Sequence, residues 1–156
     1  CNPITRITPE LMGTRSAIGY LQPSGSVRAV YCHWDGYPDH QLPILKAKYN
    51  TLAKVKALIK PGSMSSLESN HTWDSESRDP QPLYHAERGH GDKPKTSGKA
   101  FDYWRDQDCE YLYVFDGTKW ITYSLHQPAP GLLLDNPSDY SRTYLMLKMY
   151  AAVANA

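Results

Sequence analysis

The chain has 156 residues, a length that suits one domain with its own hydrophobic core. Its 17 basic and 16 acidic residues leave a net charge of +1, so no overall field attracts the chain to nucleic acid or to an anionic membrane. No apolar run approaches the roughly 18 residues of a membrane span, and three widely spaced cysteines provide no disulfide framework. These properties predict a cytoplasmic protein with no membrane partner and no bulk binding of nucleic acid.

The first eleven residues precede a segment that looks like an ordinary protein start. Met12 is followed by Gly-Thr-Arg, whereas the chain itself begins with Cys1. We therefore interpret residues 1–11 as an N-terminal extension and residues 12–156 as a single domain. Processing of the chain and modification of Cys1 are both open as explanations of this terminus.

Two apolar-rich runs, at residues 15–21 and 27–34, open the domain. The five residues that join them contain Pro and Gly, which predicts a β-hairpin. The second run has apolar side chains on both faces, as expected of an inner strand. Asp-Gly-Tyr-Pro-Asp at 35–39 then ends it.

Apolar residues at helical spacing predict two amphipathic helices, at 42–49 and 52–60, and Pro61-Gly62 ends the second. Residues 63–99 are rich in Ser, Asp, Pro, Gly and His, so we predict a long irregular segment, with the hint of a strand only at 83–86. One helical turn is predicted at 100–105.

A second hairpin is predicted at 110–115 and 119–125, because Asp116-Gly117 is a strong turn signal between alternating strands. A last helix is predicted at about 138–153. Two hairpins and about three helices indicate an α+β fold, in which the helices pack on one face of an antiparallel sheet of four or five strands.

The densest group of reactive side chains lies at residues 31–38, where the second strand ends. Neighbouring residues of a strand point to opposite faces, so Cys32 and His33 are badly placed to share a metal ion. No fixed metal-ligand spacing and no glycine-rich phosphate loop occurs in the chain. We therefore predict no metal site and no cofactor.

Three of the residues are candidates for acid–base catalysis. His33 and Asp35 could orient each other, and His85 could approach from the second half of the chain. Two imidazoles of this kind suit a phosphodiesterase or a nucleotide-modifying enzyme, since one can accept a proton and the other donate one. The structural alternative is that His33 is a sheet histidine and that Asp35 only builds the turn.

Binding without catalysis is a further interpretation. Guanidinium groups bind phosphate and flat aromatic rings stack on bases, so we predict a ligand pocket where residues 34–38 meet residues 84–89. Its candidate residues are Arg15, Trp34, Tyr37, Tyr84 and Arg88. A separate local cluster of positive charge consists of Lys93, Lys95 and Lys99.

Four segments bear on family membership: Gly-Thr-Arg-Ser-Ala-Ile at 13–18, His-Trp-Asp-Gly-Tyr-Pro at 33–38, Tyr-His-x-x-Arg-Gly at 84–89 and Phe-Asp-Gly at 115–117. In these segments, which span most of residues 12–125, the chain resembles a family of small proteins from bacteriophages and bacteria. The extension before Met12 and the Pro-rich tail after His126 depart from that pattern. The resemblance implies a setting, that of host-takeover or counter-defence factors, and no particular reaction.

Three hypotheses follow. The first is a phage-type accessory protein that binds a nucleotide-like ligand or a host protein without catalysis. The second is a phosphodiesterase or nucleotide-modifying enzyme that uses His33, Asp35 and His85. The third is a virion-associated structural protein, in which the N-terminal extension and the tail mediate assembly. The oligomeric state is open in all three.

Overall fold

The computed structural model describes residues 14–125 and a short strand at 131–132, so the predicted N-terminal extension and last helix lie outside the described residues. In chain order the elements are β1 (Ser16–Leu21), β2 (Val27–Cys32), α1 (Pro38–Lys48), α2 (Leu52–Ile59), β3 (Met64–His71), β4 (Ser77–Tyr84), a 3₁₀ helix (His85–Arg88), β5 (Lys95–Ser97), α3 (Ala100–Asp106), β6 (Tyr111–Phe115), β7 (Trp120–Ser124) and β8 (Gly131–Leu132). The α+β class is confirmed.

The strands form one mixed sheet. Their order is β4-β3-β2-β1-β6-β7-β8, and β5 lies against the same edge of β2 as β3. β1 runs parallel to β6 and β2 runs parallel to β3, whereas the other pairs are antiparallel. The prediction of four or five antiparallel strands is therefore wrong in number and direction. Hairpin signals report only local pairing, and both parallel pairs join segments far apart in the chain.

The prediction of a long irregular segment at 63–99 is also wrong. β3 and β4 form a long, irregular hairpin there, and its register shifts at several points. β4 is the edge strand, half of its residues are exposed, and it contains Pro80 and Pro82. An edge strand tolerates proline and needs no alternating apolar pattern. Its sequence therefore lacks the periodicity by which a strand is recognised.

The helices cover both faces of the sheet, and not the single face that was predicted. α1 and α2 pack on one face, where Leu45 and Leu58 meet Ile18, Val30 and Tyr113 in a continuous core. These three sheet residues are neighbours across β2, β1 and β6. α1 begins at Pro38, earlier than predicted, because proline suits the first turn of a helix.

α3 packs on the opposite face. Phe101 and Trp104 lie there against Ala17, Ala29 and Leu112, which alternate with the side chains of the first core. This second core covers the strands from β2 to β7. Next to the end of β2, Ser63, which precedes β3, contacts His85, which follows β4.

The turn after β2 is attached to two other strands. Gly36 N–H donates to Thr14 O at 2.9 Å, and the buried Tyr113 hydroxyl donates to Gly36 O at 2.6 Å. A Cβ atom on Gly36 would lie 2.6 Å from both Cβ and Oγ of Ser16. Glycine is therefore required here by the close approach of the turn to β1.

We expect Gly36→Ala to lower the free energy of unfolding by about 1–3 kcal/mol, because the methyl group overpacks the contact with Ser16. Urea denaturation checks this value. A Ser16→Gly background removes two of the three crowded atoms and leaves Thr14 O, at 2.8 Å, so the same substitution should cost less there. An equal penalty in both backgrounds would show that the contact with Ser16 is not the cause.

Candidate functional site

His33 lies just beyond the end of β2, where the chain still runs beside β3. The backbone N–H of His33 donates to Met64 O at 3.1 Å, and the backbone N–H of Trp34 donates to Ser65 O at 2.8 Å. Strand alternation places His33 on the same face as Tyr31. The Tyr31 hydroxyl lies 2.8 Å from His33 Nδ1, so the tyrosine holds the imidazole in place.

His85 is held in a similar way on the far side of β3. It is the first residue of the 3₁₀ helix after β4, and its backbone N–H donates to Ser63 O at 3.2 Å. The buried Ser63 Oγ lies 3.0 Å from His85 Nδ1 and accepts the N–H of Asp92 at 3.0 Å. The hydroxyl hydrogen of Ser63 is therefore available to Nδ1. Among residues 14–125, neither His33 Nε2 nor His85 Nε2 has a hydrogen-bond partner.

Electrostatic effects link the two imidazoles. Partial burial lowers the pKa of His33, and the positive charge of Arg15 lowers it further. Partial burial, followed by His90 and His33, lowers the pKa of His85, while Asp92 acts in the opposite direction. The charge of His33 therefore contributes to the lowered pKa of His85.

Aromatic and cationic groups surround His85. Its ring stacks on His90 with centroids 5.3 Å apart and lies 5.9 Å from the Trp73 ring. The Arg88 guanidinium lies 5.0 Å from the centroid of Trp73, a cation–π distance. Trp73 is oriented by its indole N–H, which donates to Tyr84 O at 2.9 Å.

We call one group of residues the histidine surface. It consists of Arg15, His33, Trp73, His85 and Arg88. Four of its five members are residues predicted from the sequence.

Two of the other predicted residues line a separate groove. The Trp34 ring meets the His33 ring edge-on, with centroids 4.7 Å apart. Trp34 and Asp35 both border a groove of about 530 Å³ along β3. Asp35 occupies the left-handed region, with φ of 57°, as part of the turn. Within the described part of the chain, the predicted pairing of His33 with Asp35 is not found, because His33 Nδ1 bonds to Tyr31.

Tyr37 and Tyr84 have structural positions. Tyr37 is the N-cap residue of α1, with its ring 5.7 Å from that of His40. The Tyr84 hydroxyl donates to Leu58 O in α2, on the face opposite the histidine surface, and burial raises the pKa of its phenol. Of the predicted residues, Arg88 and His85 lie on either side of Trp73, and electrostatic effects connect Arg15 with His33 and His33 with His85. Tyr37 and Tyr84 are not part of this group.

Three contributors were missed: Tyr31, Ser63 and Trp73. The spacing of two between Tyr31 and His33 in a strand was a usable signal, because such residues share a face. Ser63 and Trp73 lie in a segment predicted to be irregular, and nothing local marks them. Their contacts with His85 depend on the β3–β4 hairpin.

The thiol of Cys32 is unsuited to nucleophilic chemistry. Burial raises the pKa of the Cys32 thiol to about 12, so the thiol is protonated at neutral pH. In the part of the chain that the structure describes, no three His, Cys, Asp or Glu side chains form a metal-binding group. No helix within it is long and apolar enough to span a membrane.

We expect Arg15→Ala to raise the pKa of His33, because it removes a positive charge that opposes protonation. His90→Gln should raise the pKa of His85 for the same reason. Each value should stay below that of free histidine, since burial persists. NMR titration of the imidazole C–H signals measures both, and each variant is the control for the other. A wild-type pKa at or above that of free histidine would contradict this account.

Scans of the chain against protein-family models, curated proteins and solved structures each found no match. The resemblance of its motifs to a phage and bacterial family therefore stays a prediction. The function of this chain must be argued from its own side chains.

Proposed function

We propose that the chain binds a nucleotide-like ligand at the histidine surface, without catalysis. The observation that carries the proposal is the group around Trp73, whose ring lies 5.9 Å from the His85 ring and 5.0 Å from the Arg88 guanidinium. His33 contributes to the electrostatic environment of His85. Arg15 accompanies the first imidazole and Arg88 lies against Trp73 beside the second. Guanidinium groups suit phosphate, and an aromatic ring backed by a cation suits a stacked base.

The protonation state of the imidazoles favours binding over catalysis. The pKa values of His33 and His85 are both lowered from a value already below 7, so both rings are neutral at neutral pH. General acid–base catalysis by two histidines needs one protonated and one neutral ring. Two neutral rings anchored through Nδ1 can instead donate or accept hydrogen bonds to a ligand through Nε2.

A hydrolytic function is the second candidate, because both imidazoles are pre-oriented. Tyr31 holds His33 and Ser63 holds His85, which leaves each Nε2 without a partner among the described residues. A phosphodiester between them would be attacked by water activated by one ring, and the other ring would protonate the leaving oxygen. Asp35 has no part in this version, because it borders the neighbouring groove.

The biological setting stays a proposal as well. A phage accessory protein that sequesters a nucleotide signal would need a site of the kind described above. Capture of a host protein and a role in the virion are the remaining alternatives, and none of the contacts described here favours either.

Nucleotide binding can be tested by calorimetry with mononucleotides and cyclic dinucleotides. Arg88→Ala should weaken the affinity about tenfold or more, because it removes a charge-assisted contact and the cation over Trp73. Lys119→Ala is a charge-matched control in the turn between β6 and β7, at the other end of the sheet. Failure of every nucleotide to bind, or equal losses in both variants, would contradict the proposal.

The hydrolytic candidate makes a separate prediction. Activity on a bis(4-nitrophenyl) phosphate probe should rise as the pH falls below about 6.5, because the general acid must be protonated and the pKa values of both imidazoles are lowered. His33→Ala and His85→Ala should each abolish turnover, whereas His71→Ala, an exposed residue of β3, should not. Absence of turnover across this pH range would contradict the hydrolytic candidate.

A further inference from the structure

A pocket of about 460 Å³ lies next to the histidine surface, between α3 and the segment that leads into β5. Its lining residues are Tyr31, Asp92, Lys93, Pro94, Lys95, Tyr103, Trp104 and Gln107. We call it the lysine pocket. Its volume falls in the range of about 300–1,000 Å³ that is usual for small-molecule sites. Tyr31 belongs to its wall and also holds His33, so the pocket adjoins the histidine surface.

Local structure explains why these side chains share one cavity. Lys93 and Lys95 are two residues apart in extended chain, which places both on one side. Tyr103 and Gln107 are four residues apart at α3 and share a helix face. β5 pairs with the start of β2, and this pairing holds the lysine segment opposite α3.

Trp104, one of the lining residues, carries a buried polar group without a partner among the described residues. The residue is only 4% exposed, and its buried indole N–H has no acceptor in the described part of the chain. Two other indoles do have acceptors, since Trp73 donates to Tyr84 O and Trp120 donates to Tyr49 O. A buried donor without an acceptor costs about 1–3 kcal/mol. An acceptor supplied by a ligand would remove that cost.

The charges around the pocket indicate what that acceptor is. Lys93 and Lys95 are exposed, and within residues 14–125 neither forms an ion pair. Asp92 is the single acidic residue of the described lining. Arg15 adds a further positive charge beside Tyr31. Two ammonium groups and an indole N–H are all donors, so they suit the oxygens of an anion.

We propose that the lysine pocket binds the phosphate group of a nucleotide, with Lys93, Lys95 and the Trp104 indole as its donors. This inference rests on the proposed function, because it specifies which part of the ligand sits beside the histidine surface. The half-buried rings of Tyr31 and Tyr103 line the rest of the pocket wall. A free phosphate or polyphosphate shares the anionic chemistry, and the experiment separates the two sources.

The test uses the four indole N–H signals of the whole chain in a ¹⁵N–¹H NMR spectrum. Trp104→Phe assigns its signal by loss. Adding ADP should move the Trp104 signal downfield, because its indole hydrogen gains an acceptor. The Trp120 signal should stay unchanged, because its indole N–H already donates to Tyr49 O. Adenosine, which lacks phosphate, should not move the Trp104 signal.

Calorimetry of two surface variants keeps the test independent of Trp104→Phe, whose buried ring contributes to the core. Lys93→Ala and Lys95→Ala should each weaken ADP binding about tenfold, whereas Lys119→Ala should not, because it lies in the turn between β6 and β7 and does not line the pocket.

The outcomes separate this inference from the proposed function. If ADP binds the Lys93 and Lys95 variants with full affinity and does not shift the Trp104 signal, the lysine pocket is not the phosphate site. Nucleotide binding at the histidine surface would still stand. If pyrophosphate moves the Trp104 signal but no nucleotide binds, the proposed function is wrong. The pocket would then bind an inorganic phosphate and not the phosphate group of a nucleotide. Absence of any response to both overturns the two proposals together.

Discussion

The attachment of the turn after β2 is the constraint on which the centre of this structure depends. Gly36 accepts a hydrogen bond from Tyr113 in β6 and fits against Ser16 in β1 where no side chain could. The fully buried Gln41 reinforces the same region, since it accepts from Ser16 Oγ and donates to Cys32 Sγ. Each of these buried polar groups would cost about 1–3 kcal/mol if it lost its partner. The turn, three strands and α1 therefore form one unit.

This unit determines which residues of the motif at 33–38 remain for function. Gly36 meets the close approach to β1, Asp35 provides the left-handed backbone of the turn, and Pro38 begins α1. Cys32 points into the core. His33 and Trp34 are left at the strand end, beside the start of β3. The turn thus positions the imidazole of His33, and the β3–β4 hairpin positions that of His85.

Tyr31 links the two proposed binding regions, the histidine surface and the lysine pocket. Its ring borders the lysine pocket and its hydroxyl holds His33. Burial raises the pKa of its phenol, and the charge of Arg15 opposes that rise, so the hydroxyl remains protonated at neutral pH. A ligand that displaced this ring would also loosen His33. The two regions are therefore best regarded as parts of one site.

The sequence by itself determined the two hairpins with clear turn signals, both amphipathic helices between them, and four members of the histidine surface. These features depend on local patterns: alternation in a strand, apolar spacing in a helix, and glycine or proline in a turn. Only the tertiary structure decided the parallel pairing of β1 with β6, the strands within 63–99, the contacts of His85 with Ser63 and Trp73, and the lysine pocket. Each of these joins residues distant in the chain, and their partners are selected by packing and hydrogen bonding, which leave no local pattern to read.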